Sequence, residues 1–138
     1  MRVLRYSADQ IYSRPEVEKR LRFLTNGGWG RHKEGSTFAH HLWLQSPGTY
    51  FLAWENGEIV GWSIMLPNRK RAFTQFDGGY KVGCYVSPAY RRQGVGSQLI
   101  LAAKKLAKAR HKALWCCPWS RKSHAFFEKH GLRKLQWW

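Results

Sequence analysis

Between Gly83 and Leu101 the chain reads Gly-Cys-Tyr-Val-Ser-Pro-Ala-Tyr-Arg-Arg-Gln-Gly-Val-Gly-Ser-Gln-Leu-Ile-Leu. The chemistry those residue types can do is anion binding. An apolar strand, Val82 to Val86, breaks at Pro88. A basic, glycine-bearing turn follows from Arg91 to Gly96, and an amphipathic helix begins at once. A helix N-terminus leaves backbone N–H groups without intrahelical acceptors, and its dipole favours negative charge. Gly94 and Gly96 would let a bulky anion approach the backbone, and Arg91 and Arg92 add charge-assisted donors. The expected ligand is a pyrophosphate. A dinucleotide fingerprint would need Gly-x-Gly-x-x-Gly, but Leu99 stands at the third glycine, and the chain has no Gly-Lys-Ser/Thr triplet.

What remains is Val86-x-Pro88-x-x-Arg91-x-x-Gly94-x-Gly96, and this stretch resembles the acetyl-CoA loop of the GNAT superfamily of N-acetyltransferases. Phe126-Phe127-Glu128-Lys129-His130-Gly131-Leu132 is similar to that family's Phe-Tyr-Glu-Lys-x-Gly-Phe. The two motifs occur in the family's order, and the specific resemblance covers residues 80 to 132. It implies a mixed α/β fold: a central twisted mixed sheet flanked by helices, with acetyl-CoA in a splayed V between strands 80–87 and 113–119. The resemblance places the pantetheine arm along Cys84, Tyr85 and Val86, where a bulge opens the strand pair. It places the pyrophosphate on the amides of Arg92, Gln93, Gly94, Val95 and Gly96, beside Ser97, with the Arg91 and Arg92 side chains near it.

Acetyl transfer by direct attack needs a neutral amine, a donor for the developing oxyanion and a proton for the leaving thiolate. The resemblance implies an oxyanion donor near Tyr85 or Val86. The tyrosine that usually serves as acid is Phe127 here, the asparagine that contacts pantetheine is Ser120, and the strand glutamate of some relatives falls at Tyr80. Substitutes are Ser120 or Ser123, which share helical spacing with Phe127, and Tyr85 or a water. Asp77 is the nearest carboxylate before the strand, though Asp77-Gly78-Gly79 also reads as a turn. His40 or His41 could accept the amine's proton. A ping-pong route through Cys116 and His124 is disfavoured, because the family transfers directly. A catalytically silent CoA-binding relative, or a nucleic-acid module, is the alternative.

These residues must be positioned by a single domain, since 138 residues leave room for one core. Arg2 to Tyr6 reads as a strand. Ser13-Arg14-Pro15-Glu16 reads as a capping box, ahead of Val17, Leu21 and Leu24 at helical spacing. Residues 26–35, with four glycines, read as a loop, and 37–44 as a second helix. Strands at 50–54 and 58–66 bracket Glu55-Asn56-Gly57, a hairpin signal. A polar loop (67–79), the strand 80–87 and a helix over 93–111 follow, the helix with Val95, Leu99, Ala102, Ala103, Leu106 and Ala107 inward and Lys104, Lys105 and Lys108 outward. A strand at 113–119, a helix from Arg121 to His130 stopped by Gly131, and a last strand 132–138 complete the order β-α-α-β-β-β-α-β-α-β.

Composition bounds the partners. Twenty-four Lys and Arg against eight Asp and Glu give a net charge of +16, far more than one acetyl-CoA engages. Clusters at Arg31-His32-Lys33, Arg69-Lys70-Arg71 and Lys104-Lys105 lie among aromatics, a pattern that attracts acidic macromolecules. The expected acceptor is therefore a protein lysine or N-terminus, or a charged transfer RNA. No apolar run approaches the ~20 residues that span a bilayer, no secretory segment is read, and three cysteines are no disulfide framework, so the expected compartment is a reducing cytoplasm. No metal-ligand spacing stands out. Trp137 and Trp138 hint at a homodimer contact.

Overall fold

The computed structural model describes residues 1–29, 48–67, 79–116 and 121–134. Among these residues six strands form one sheet in sequence order: β1 (Arg2–Ser7), β2 (Thr49–Glu55), β3 (Glu58–Pro67), β4 (Tyr80–Val86), β5 (Leu114–Cys116) and β6 (Arg133–Lys134). β1 to β4 run antiparallel, whereas β4, β5 and β6 are parallel. Helices α1 (Ala8–Tyr12) and α2 (Pro15–Trp29) cover one face, and α3 (Val95–Ala109) and α4 (Arg121–Lys129) the other. This is the mixed α/β arrangement the sequence led us to expect.

Asn56 and Gly57, with φ of 51° and 76°, close the β2–β3 hairpin with the left-handed pair that matches strand twist. β2 alternates between layers: Tyr50 and Leu52 pack toward α1 and α2, Phe51 and Ala53 toward α3. The register shifts between Ala53 and Trp54, where Gly61 and Ile59 face them and Val60 is left over. That bulge brings Val60 into the α3 core. A Cβ on neighbouring Gly61 would lie 3.2 Å from Leu99 and 3.4 Å from Val95, so glycine admits the helix close to the sheet. Leu99 and Ile100 are fully buried. Each such side chain contributes about 1.5–3 kcal/mol, so the start of α3 is anchored from behind.

Four expectations are corrected. The first helix is α1, missed because its capping box is Ser7 with Gln10: the Gln10 amide donates to Ser7 Oγ at 3.2 Å and the Ser7 amide to Gln10 Oε1 at 2.8 Å. Ser13, read as an N-cap, instead closes α1, its hydroxyl donating to Gln10 O. The loop expected from residue 26 does not begin there, because α2 continues through Gly27 and Gly28 to Trp29. Glycine accepts the right-handed helix at a cost of ~1 kcal/mol per residue, so it permits a turn without imposing one. Lys104 is not fully outward: half-buried, its ammonium donates to His130 O at 2.8 Å. The helix expected at 37–44 lies outside the described residues.

Candidate active site

The strand-to-helix turn is built from the end of β4 outward. The Ser87 amide donates to Val60 O at 2.8 Å, and a 3₁₀ turn over Pro88–Tyr90 returns Tyr90 N to Ser87 O at 2.9 Å. Arg92 and Gly94 then take left-handed φ of 62° and 83°. Gly94 caps α3 with no side-chain bond, and its carbonyl receives the Gln98 amide at 3.1 Å. Among the described residues, no acceptor meets the amides of Arg92 to Ser97. Successive amides in alternating left- and right-handed conformations form a concave nest for an anion, and here the nest opens at a helix N-terminus.

The two glycines do different work, which corrects the expectation that both clear the anion's path. A Cβ on Gly94 would meet nothing within 4 Å, so glycine is needed there for its backbone angle and the space above it stays open. A Cβ on Gly96 would lie 3.1 Å from the Phe126 ring, so this glycine lets α4 pack against α3. Arg91 bridges the turn to the strand: its Nε donates to Val86 O at 3.0 Å, and its guanidinium lies 5.5 Å above the Tyr85 ring.

β4 supplies an edge beside the nest. Its pairing with β5 covers Tyr80 to Val82, and Tyr80 N donates to Ala113 O at 2.8 Å. Backbone groups alternate sides along a strand, so those of Cys84 and Val86 also turn toward the β5 side. Those of Tyr85 turn toward β3, where it pairs with Trp62. Among the described residues, the N–H groups of Cys84 and Val86, rather than that of Tyr85, thus face the side on which an extended ligand would pair; Val86 O is already held by Arg91 Nε, and Val86 N–H is the donor nearest the turn. The expected bulge in β4 is absent: the β3–β4 register runs evenly from Gly61 opposite Val86 to Pro67 opposite Tyr80.

The remaining candidates scatter. Tyr85 is half-buried, its ring 6.0 Å from that of Trp62. Phe127 is 5% exposed in the core under α3, while Phe126 is the aromatic that lies against the glycine turn. Tyr80, at the far end of β4, accepts a 3.1 Å bond from Arg110. Cys116 is 1% exposed in the core. Cys84 is half-buried as a residue, yet burial pushes its thiol up to about 12, so it stays protonated and is a poor nucleophile at neutral pH. Ser120, Asp77, His40 and His41 lie outside the described residues, as do the side chains of Ser123 and His124. Among the described residues no group of three His, Cys, Asp or Glu side chains could hold a metal.

One contact was not legible in the sequence. Ser97, on the first turn of α3, lies with its Oγ 3.1 Å from His130 Nε2, and Phe126 sits edge-on to the same imidazole. Burial, then Lys104 and Lys129, hold that imidazole below its ordinary value. The folded state therefore binds fewer protons than the unfolded chain across the imidazole range, and stability falls as the pH drops through it. In thermal melts between about pH 7.5 and pH 5, His130→Gln should lose less melting temperature than the parent protein. Equal losses would remove His130 from the pH response.

The chain matches the Acetyltransferase (GNAT) family over residues 10–132. No curated protein matches its sequence. Among solved structures it superimposes on ribosomal-protein-alanine N-acetyltransferase from Brucella melitensis biovar Abortus 2308 with a TM-score of 0.65 at 17% identity, covering 100% of this chain and 96% of that one. An aminoglycoside antibiotic 6'-N-acetyltransferase from Acinetobacter haemolyticus gives a TM-score of 0.70 at 21% identity, over 100% and 94% of the two chains. Aminoglycoside N-acetyltransferase AAC(6')-Iy in complex with CoA gives 0.63 at 16%, over 99% and 90%. Motif, topology and family match agree: the chain belongs to the GNAT family of acetyltransferases.

Proposed function

We propose that this protein transfers an acetyl group from acetyl-CoA to an amine carried by a macromolecule. The observation that carries the reading is the nest at Arg92 to Ser97, which lies beside the edge of β4 presented by Cys84 and Val86. The residues present fit the donor. The nest takes its pyrophosphate, the Arg91 fork reinforces that charge, and the β4 edge pairs with the amides of its pantetheine arm. Acetyl-CoA brings an activated thioester, and the chain's task is to orient it, bind charge and move protons. Val86 N–H faces the side on which carbonyl charge develops, and the hydroxyl of Tyr85 or a water returns the proton to sulfur. The protonated Cys84 thiol favours direct transfer over an acylated enzyme.

The acceptor is argued from charge. Aminoglycosides are polyamines, cationic at neutral pH, and a chain of net charge +16 repels them at long range. An amine held on an anionic macromolecule is attracted instead. A second reading, a silent CoA-binding relative, is favoured by Phe127 standing where the family resemblance expects a tyrosine.

The test begins with a thermal shift. Acetyl-CoA at about a hundred times its dissociation constant should stabilise the fold by roughly 2.7 kcal/mol, which for a domain of this size raises Tm by roughly 10 °C. Release of free CoA thiol on adding acceptor-containing lysate fractions then separates an active enzyme from a silent one. No shift and no thiol release would overturn both readings.

A further inference from the structure

At the end of α3 remote from the cofactor turn, a groove of about 390 Å³ runs between the helix, the start of β5 and the α4–β6 turn. Its walls carry Lys104, Lys108, His111 and Lys112, and its floor is apolar, with Ala107, Ala113, Leu114 and Leu132. The groove follows the last two turns of α3 and the residues just beyond it, whereas the nest lies at the helix's first turn. We infer that the groove and the adjoining face of α3 bind a single strand of nucleic acid through its phosphates, with the apolar floor receiving an unstacked base or sugar.

The first argument is uniformity of sign. Glu128, on α4, is the one carboxylate side chain after Asp77, so α3 and the residues that follow it to β5 carry positive charge alone. A helix C-terminus itself carries only about half a negative charge, which favours a few nearby cations and is outweighed by those present. Lys108 and Arg110 would suffice for that role; Lys112 lies beyond the helix, and Lys104 stands a turn inside it. The second argument is preorganisation. Lys104 is held by its 2.8 Å bond to His130 O and keeps two further donors, while Arg110 is held by the Tyr80 hydroxyl at 3.1 Å with its guanidinium over that ring.

The third argument separates nucleic acid from an acidic protein. Protein interfaces are built on an apolar or aromatic centre and are depleted in lysine. On α3 the exposed large apolar side chain is Leu101 alone among the described residues, and lysine dominates the rest of that face. A phosphate backbone needs no such centre, and base or sugar contact with the floor adds to it. The inference is independent of acetyl transfer, since binding is read without acetyl-CoA.

The experiment is fluorescence anisotropy with a labelled oligoadenylate RNA of about 20 nucleotides, enough to cover a site of ordinary size. Log affinity should fall with log salt by ~0.7 for each phosphate contact. Lys108→Gln/Lys112→Gln should remove ~1.4 from that slope and weaken binding about 25-fold near 0.1 M salt, by the same relation. Lys108→Arg/Lys112→Arg should bind as the parent does. Arg2→Gln/Arg5→Gln takes equal charge from exposed positions on β1, at the other edge of the sheet, and should change affinity less than about threefold. Equal weakening by the two Gln pairs would overturn the groove, leaving only a diffuse field. Polyglutamate binding as tightly, with the same dependence on Lys108 and Lys112, would assign the surface to acidic protein instead. Absence of RNA binding by the parent protein would overturn the inference outright.

Discussion

Gly94→Val should abolish acetyl-CoA binding in calorimetry while leaving the protein folded. Gly94 sits at φ 83°, and a side chain there costs about 1–2 kcal/mol even before the branching of valine is counted. A domain of ordinary stability, roughly 5–15 kcal/mol, survives that loss. The nest does not. Either the strained angle persists and the isopropyl group fills the open space above it, or φ relaxes and the neighbouring amides turn away from the anion. Gly94→Asn, which tolerates the left-handed region, should retain part of the affinity.

Gly96→Ala provides the contrast. Its Cβ would press on Phe126 from 3.1 Å, so the expected effect is overpacking between α3 and α4, worth about 1–3 kcal/mol of stability. Melting temperature should report Gly96, and ligand affinity should report Gly94. Normal acetyl-CoA binding by Gly94→Val would remove the nest from the function.

How far the sequence alone reaches is visible in these two glycines. The motif pointed to the strand-to-helix turn, because a strand, a proline break, a glycine turn and a helix in that order have few structural solutions. It could not separate the glycines, since one is needed for a dihedral angle and the other for a neighbour 30 residues away. The same limit hid Ser97 against His130, a contact between residues 33 apart. It also hid the division of β4, because which backbone groups face which neighbour depends on register. The β2–β3 hairpin was legible because Asn56-Gly57 carries its own angles. The continuation of α2 through Gly27 and Gly28 was not, because glycine composition describes what a backbone permits. The catalytic proton donor stayed open for a chemical reason: Phe127 has no proton to give, and no other residue occupies its motif position.

Arg91→Ala should weaken acetyl-CoA binding by roughly 1.5–3 kcal/mol, the range for a charge-assisted bond, or roughly 10- to 150-fold in affinity. This figure merges a contact in the structure with the proposed one to phosphate. Arg91 Nε holds Val86 O, and its terminal nitrogens remain to meet a phosphate. Arg91→Lys keeps the charge but loses the fork, so one ammonium cannot hold the carbonyl and the phosphate in the same geometry. An intermediate loss is expected. S-acetylpantetheine, which lacks the pyrophosphate, separates the two contacts. If Arg91 acts through charge, Arg91→Ala should leave affinity for this truncated donor nearly unchanged while acetyl-CoA affinity collapses. If the loss is equal for both donors, Arg91 matters because it fixes the end of β4, and the pyrophosphate rests on the backbone nest alone.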